Sequence, residues 1–229
     1  MGVESSSRVD GGEGADVTIG ITDARSEGAI ARPVVEPADP ISSLIEVGYG
    51  ATIVKKAFLI LGELNNEDID WLARQGRKRT LEPEETLIFE DQQISALYFV
   101  LRGEFSVVLD PPVDRELARI STGEVIGEIS FVDSRLPIAT VKAIAPCEVL
   151  EIPRFRLTSK LNQDLGFASR FYRGLSLCLC DRMRATVRRL GYGTALDAPE
   201  LSNPKPLTLD PQDLDLVRAK FQWLVQQTR

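Results

Sequence analysis

The chain has 229 residues, 43% hydrophobic and 27% charged, which suffices for one well-buried domain plus extensions and is tight for two. Its net charge of −7 argues against binding to bulk nucleic acid, which needs a concentrated basic surface. The absence of histidine excludes imidazole acid–base catalysis and His-ligated metal, and three cysteines without a close C-x-x-C pair offer neither a zinc site nor a disulfide framework.

Residues 1–40 are rich in Ser, Gly, Asp and Glu and offer little to bury, so they read as a disordered acidic arm. They lack the basic lead and apolar core of a secretory signal, so a cytoplasmic location is expected, consistent with the cysteine usage. Residues 41–78 carry apolar side chains at helical intervals, among them Phe58, Leu61, Leu64, Ile69 and Leu72, and read as a helical lead-in capped internally at Asn65 or Asn66. Lys55 and Lys56 interrupt the most apolar early segment, and no run reaches the roughly 20 residues that span a bilayer, so no membrane insertion is expected.

From residue 79 to 153 short apolar runs alternate with Gly, Pro and Asp punctuation, the pattern of a sandwich or jelly-roll barrel of antiparallel strands. Residues 97–101 and 105–109 are separated by a connection of hairpin length at Arg102-Gly103. Residues 154–190 read as a long helix with an apolar stripe of Leu161, Leu165, Ala168, Phe171, Leu175, Leu179, Met183 and Val187. Arg182, Arg184, Arg188 and Arg189 look like a basic cluster near its end, on an ordinary charged helix face or facing an acidic partner. Residues 191–229 comprise a Pro- and Gly-rich linker and a terminal amphipathic helix from 211 to about 227, with Asp210 as cap and Leu214, Val217, Phe221 and Leu224 on its apolar edge.

The segment GEVIGEISFVDSRLPIATVKAIAPCEVLEI, residues 123–152, resembles the phosphate-binding cassette of the cyclic-nucleotide-binding domain, and the resemblance extends from Phe58 to Arg189 through LEPEETLIFEDQ and LYFVLRGEFSVVL. Glu84 and Asp91 stand where that family has turn glycines, and Leu136-Pro137 stand where it has Pro-Arg. The fold implied is α+β: a β-jelly-roll barrel of cyclic-nucleotide-binding type, with a helical N-terminal lead-in and a long C-terminal helix. The resemblance implies a ligand site at Gly127, Glu128, Ile129, Ser130, Arg135 and Thr140, with Glu128 accepting a ribose hydroxyl, the Ile129 and Ser130 N–H groups facing a phosphate, and Arg135 in place of the family cation.

The resemblance also implies a homodimer through the long helix. The expected function is a non-catalytic sensor or regulatory module that binds a cyclic nucleotide, cAMP or cGMP, or a similar small anionic ligand, without other cofactor or metal, and signals to a separate effector protein. The alternative is a scaffold whose barrel has lost the nucleotide. A DNA-reading output needs a helix-turn-helix, for which residues 191–229, holding one helix, lack room.

Overall fold

The computed structural model describes residues 47–48, 51–52, 54–113, 115–189 and 210–228. The acidic arm and the linker read from the sequence lie outside them. Two short strands, β1 (Val47–Gly48) and β2 (Ala51–Thr52), pair antiparallel ahead of helices α1 (Lys56–Glu63) and α2 (Asn66–Gln75). Residues 47–48 and 51–52 of the lead-in are thus extended rather than helical, in keeping with Gly48, which weakens a helix. Asn65 caps α2 in a reciprocal capping box, its side chain accepting from the Asp68 N–H at 2.9 Å while its own N–H donates to Asp68 Oδ2 at 3.0 Å.

The barrel consists of two four-stranded antiparallel sheets. One has the order β3 (Arg77–Leu81), β10 (Cys147–Pro153), β5 (Ala96–Arg102), β8 (Val125–Ile126). The other has the order β4 (Thr86–Ile88), β9 (Thr140–Ala143), β6 (Glu104–Leu109), β7 (Arg115–Ser121). A six-residue helix, α3 (Glu128–Asp133), connects β8 towards β9. The hairpin read at Arg102-Gly103 is corrected by this topology: β5 and β6 lie in different sheets, and Gly103, at φ 96°, carries the chain from one to the other.

The first sheet is the middle layer of the molecule, and strand periodicity explains why β5 is apolar throughout. Successive side chains of a strand point to opposite faces. Leu97, Phe99 and Leu101 join the core shared with the helices, whereas Ala96, Tyr98 and Val100 join the barrel interior. In β10, Leu150 and Ile152 face the helices, and Cys147 and Val149 face the interior.

Within the stretch read as one long helix, residues 154–189 form two, α4 (Arg154–Gln163) and α5 (Leu165–Arg189). Asp164 divides them because its carboxylate accepts from the Phe167 N–H at 2.8 Å and so caps a new helix. The stripe shifts accordingly. Phe167, Phe171, Leu175 and Cys178 are buried, whereas Leu165, Met183 and Val187 are exposed. At the crossing of α5 with α1 a Cβ on Gly174 would stand 2.6 Å from Ile60 Cα, so only glycine permits this approach. Ion pairs stitch the surface: Arg170 to Asp68 on α2 at 2.7 Å, Arg173 to Glu63 on α1 at 2.9 Å, and Asp181 to Lys56 on α1 at 2.7 Å.

The last helix, α6 (Pro211–Gln227), starts at Asp210, whose carboxylate accepts from the Gln212 N–H at 3.1 Å. It packs on α1 and α2 through Val217, Phe221 and Leu224, with Phe221 edge-on to Phe58 at 5.7 Å. Burying each such side chain contributes on the order of 2 kcal/mol. Lys220, 9% exposed, donates to the carbonyl oxygens of Leu61 at 3.1 Å and Leu64 at 2.6 Å, which the end of α1 leaves without helical partners. Its position at a helix C-terminus also suits the dipole.

Two outcomes follow from this architecture. Glu84 and Asp91 adopt φ of 69° and 56°, in the left-handed region that costs a residue with a Cβ about 1 kcal/mol or more. Glu84→Gly is expected to stabilise the fold by about 1 kcal/mol, read as a melting temperature higher by about 2–4 °C in calorimetry. Burial lowers the Lys220 pKa below its ordinary 10.5. The folded state therefore binds fewer protons than the unfolded one between the lowered value and 10.5, so this residue's contribution to stability rises with pH across that window. The stability difference between wild type and Lys220→Met, followed by denaturant titration at a series of alkaline pH values, is expected to change in wild type's favour as pH rises.

Candidate functional site

The Val125–Asp133 segment sets the site. Gly127 takes φ 90°, a conformation that L side chains rarely adopt, and turns the chain from β8 into α3, where its carbonyl accepts from the Phe131 N–H at 3.0 Å. The turn drives Glu128 inward, where it is 3% exposed, and leaves Ile129 outward and 52% exposed. Ser130 is buried.

Glu128 meets a cation from a distant element. Arg182 of α5 brings Nε to 2.9 Å from Glu128 Oε1, off the line of a good N–H···O bond, while its Nη2 donates to the Val125 carbonyl. Burial pushes the Glu128 carboxyl above its ordinary range, and the neighbouring guanidinium draws it back. Arg182 is held above its ordinary value: burial opposes its charge, but Glu128, Cys178 and Glu124 outweigh that. Burial pushes the Cys178 thiol to about 11, so this cysteine is no thiolate nucleophile near neutral pH.

Two further residues of the expected ligand set have other partners. Arg135 is exposed and donates from Nε to Asp133 Oδ2 at 2.7 Å and from its backbone N–H to Asp133 Oδ1 at 3.0 Å. These bonds hold the Asp133 carboxyl below its usual range, the backbone bond first. Thr140 is buried, and its hydroxyl oxygen accepts from the Glu90 N–H at 3.0 Å. Pro137 is buried and its carbonyl accepts from the Asp91 N–H at 3.0 Å, with Leu136 and Ile138 exposed on either side.

The basic cluster read from the sequence loses its first member, since Arg182 turns, half-buried, onto Glu128 and neutralises it. Its spacing carried the signal. Phe171, Leu175, Cys178 and Arg182 follow at steps of four, three and four, so Arg182 lies half-buried at the end of the stripe that Phe171, Leu175 and Cys178 bury. Arg154, the first residue of α4, also goes unmarked in the sequence. Its guanidinium donates to the Ser130 and Phe131 carbonyls at 2.8 and 3.2 Å and to Ser134 Oγ at 2.9 Å. Among the described residues no group of three or more His, Cys, Asp and Glu side chains is placed to hold a metal, and no helix is long and apolar enough to cross a membrane.

Removing Arg182 leaves a buried carboxylate without its cation, a change that costs on the order of 3 kcal/mol. Arg182→Met is expected to lose that much stability in urea titration. Glu128→Gln/Arg182→Met, which removes both charges at similar volume, is expected to recover most of it.

Residues 78–164 match the family model of the cyclic nucleotide-binding domain. The chain is 28% identical over 147 residues to a human voltage-gated delayed rectifier potassium channel, covering 63% of this chain and 15% of the channel. It is 27% identical over 134 residues to the cAMP-activated global transcriptional regulator CRP of Pasteurella multocida, covering 56% of this chain and 61% of that protein. The chain thus spans less than two thirds of either relative. A cyclic nucleotide-binding domain from Methylobacillus flagellatus has the same fold, with a TM-score of 0.55 at 21% identity over 63% of this chain and 85% of that one. The catabolite activator protein of Thermus thermophilus gives 0.51 at 18% identity over 73% and 85%. The two sheets and the cassette turn at Gly127-Glu128 thus give residues 78–164 the fold of the cyclic nucleotide-binding domain whose family model they match, and among the described residues no helix-turn-helix follows.

Proposed function

We propose that the chain is a non-catalytic cytoplasmic regulatory module whose cassette takes a cyclic nucleotide, cAMP or cGMP, or a similar small anionic ligand. Occupancy passes to a separate effector protein through α5. The observation that carries this reading is the Glu128–Arg182 pair, which joins the ligand-facing turn to the helix at 2.9 Å. A bare carboxylate would repel an incoming phosphate. Arg182 brings the local charge near zero, and Glu128 then accepts a ribose hydroxyl. Any ligand that bonds Glu128 competes with Arg182, and so favours one placement of α5 over another, as an effector must.

The remaining ligand contacts in this reading are Gly127, the Ile129 and Ser130 N–H groups, Thr140, and Arg135. Arg135 leaves Asp133 at little cost, because an exposed ion pair of this kind is weak. The reading also includes a homodimer through α5, whose Tyr172, Met183 and Val187 are exposed and apolar along one helix. The free state of all three cysteines suits the cytoplasm. The curated relatives include a cAMP-activated regulator and a channel, which supports a regulatory role in general and names no partner here.

A second reading, a scaffold that has lost the nucleotide, draws on Pro137 in place of the family arginine and on the exposed apolar Leu136 and Ile138 beside it. Calorimetric titration with cAMP and cGMP separates the two. The regulatory reading expects micromolar binding that falls at least about tenfold in Glu128→Gln, the effect of losing one charge-assisted hydrogen bond. No heat and no thermal shift at millimolar nucleotide would favour the scaffold. Light scattering on the same samples is expected to give a dimer that Met183→Glu/Val187→Glu converts to monomer.

A further inference from the structure

The cassette helix α3 is too short to hold itself. With six residues, its last turn has few helical hydrogen bonds of its own, the Ser134 N–H donating to the Ser130 carbonyl at 3.1 Å, and helices of this length are unstable in water. Arg154 reinforces this end, donating Nη1 to Ser130 O and Nη2 to Phe131 O and Ser134 Oγ. The guanidinium also lies 5.3 Å from the centre of the Phe131 ring, and its charge sits at the negative end of the helix. The same residue is anchored behind: its backbone N–H donates to the Ser95 carbonyl at 2.8 Å, just ahead of β5.

Arg154 is the first residue of α4, and α4 leads through Asp164 into α5. Phe131 also meets Phe171 of α5 edge-on at 6.1 Å. The short helix is thus gripped at its C-terminal end by α4 and α5, and at its N-terminal end Glu128 is paired with Arg182. A rotation of α4 about Pro153 cannot leave the fork of Arg154 on both carbonyls. We infer that Arg154 is a positioning residue that fixes the angle of α3, hence the Glu128–Arg182 pair, so that cassette and α5 move as one unit. The role in signalling rests on the ligand reading above, whereas the mechanical coupling does not.

Amide hydrogen exchange on the full chain tests this, comparing wild type, Arg154→Lys and Arg154→Ala, each with and without saturating cAMP. Without nucleotide, Arg154→Ala is expected to accelerate exchange at least about tenfold in α3 and also around residues 178–185 of α5, leaving β10 and α6 unchanged. Arg154→Lys, which keeps the charge but cannot fork across two carbonyls, is expected to fall between the two. Acceleration confined to α3 would make Arg154 a local cap and overturn the coupling. Uniform acceleration that includes β10 and α6 would make it a general stabiliser and overturn it as well. With cAMP, wild type is expected to gain protection in α3 and α5 together, and Arg154→Ala in α3 alone; equal protection of α5 in both would overturn the coupling. If cAMP changes nothing in wild type, the nucleotide reading fails, and the nucleotide-free comparison still decides the role of Arg154.

Discussion

Glu128 is a carboxylate at the edge of the core with almost no access to water, and the cation that neutralises it comes from α5, far along the chain. Burying an unpaired charge is costly enough that such a group normally gives up its charge or finds a partner. The turn at Gly127 and the placement of α5 therefore cannot be set independently. Once β8 ends in that turn, Arg182 must lie across the cassette, and Val125, Cys178 and the neighbouring Lys56–Asp181 pair fall into place around it. Apolar burial holds the helical layer to the sheet. The ion pair decides in which register α5 lies on it.

The middle sheet serves both halves. Because β5 and β10 send alternate residues to the helices and to the barrel interior, displacement of the helical layer is felt first by Leu97, Phe99 and Ile152, while the strand ladder and the interior remain fixed. That division lets a helical layer shift without disturbing the barrel. The close crossing at Gly174 restricts the shift to sliding or tilting, since no side chain separates the two backbones there.

Much of the barrel was legible because strand alternation and turn residues are local signals. β5, β6, β9 and β10 lie where short apolar runs place them, and the capped ends at Asn65 and Asp210 follow from side chains that compete for the first N–H groups of a helix. Pairing between strands is not local, so a connection of hairpin length at Arg102-Gly103 looked like a hairpin although it joins two sheets. The division at Asp164 was concealed because apolar periodicity runs through it, and a single carboxylate makes the cut. In the site, Gly127 and Glu128 stood out through the resemblance of their segment to the family's cassette. Arg182 and Arg154 did not, because an arginine that folds inward looks in sequence like one that faces water, and only the buried neighbours a turn away distinguish them.

Lys220 gives the helical layer an unusual boundary. Helices at the margin of a fold ordinarily unravel from their ends, residue by residue, but the last carbonyls of α1 are occupied by an ammonium from α6, and α6 is in turn held by Phe58 of α1. Segments some 160 positions apart in the chain thus hold each other, with α6 covering the open end of α1. Loosening of α1 and of α6 is then coupled: fraying the end of α1 would strip Lys220 of its carbonyl partners, and detaching α6 would leave those carbonyls bare, so the two helices gain or lose protection together.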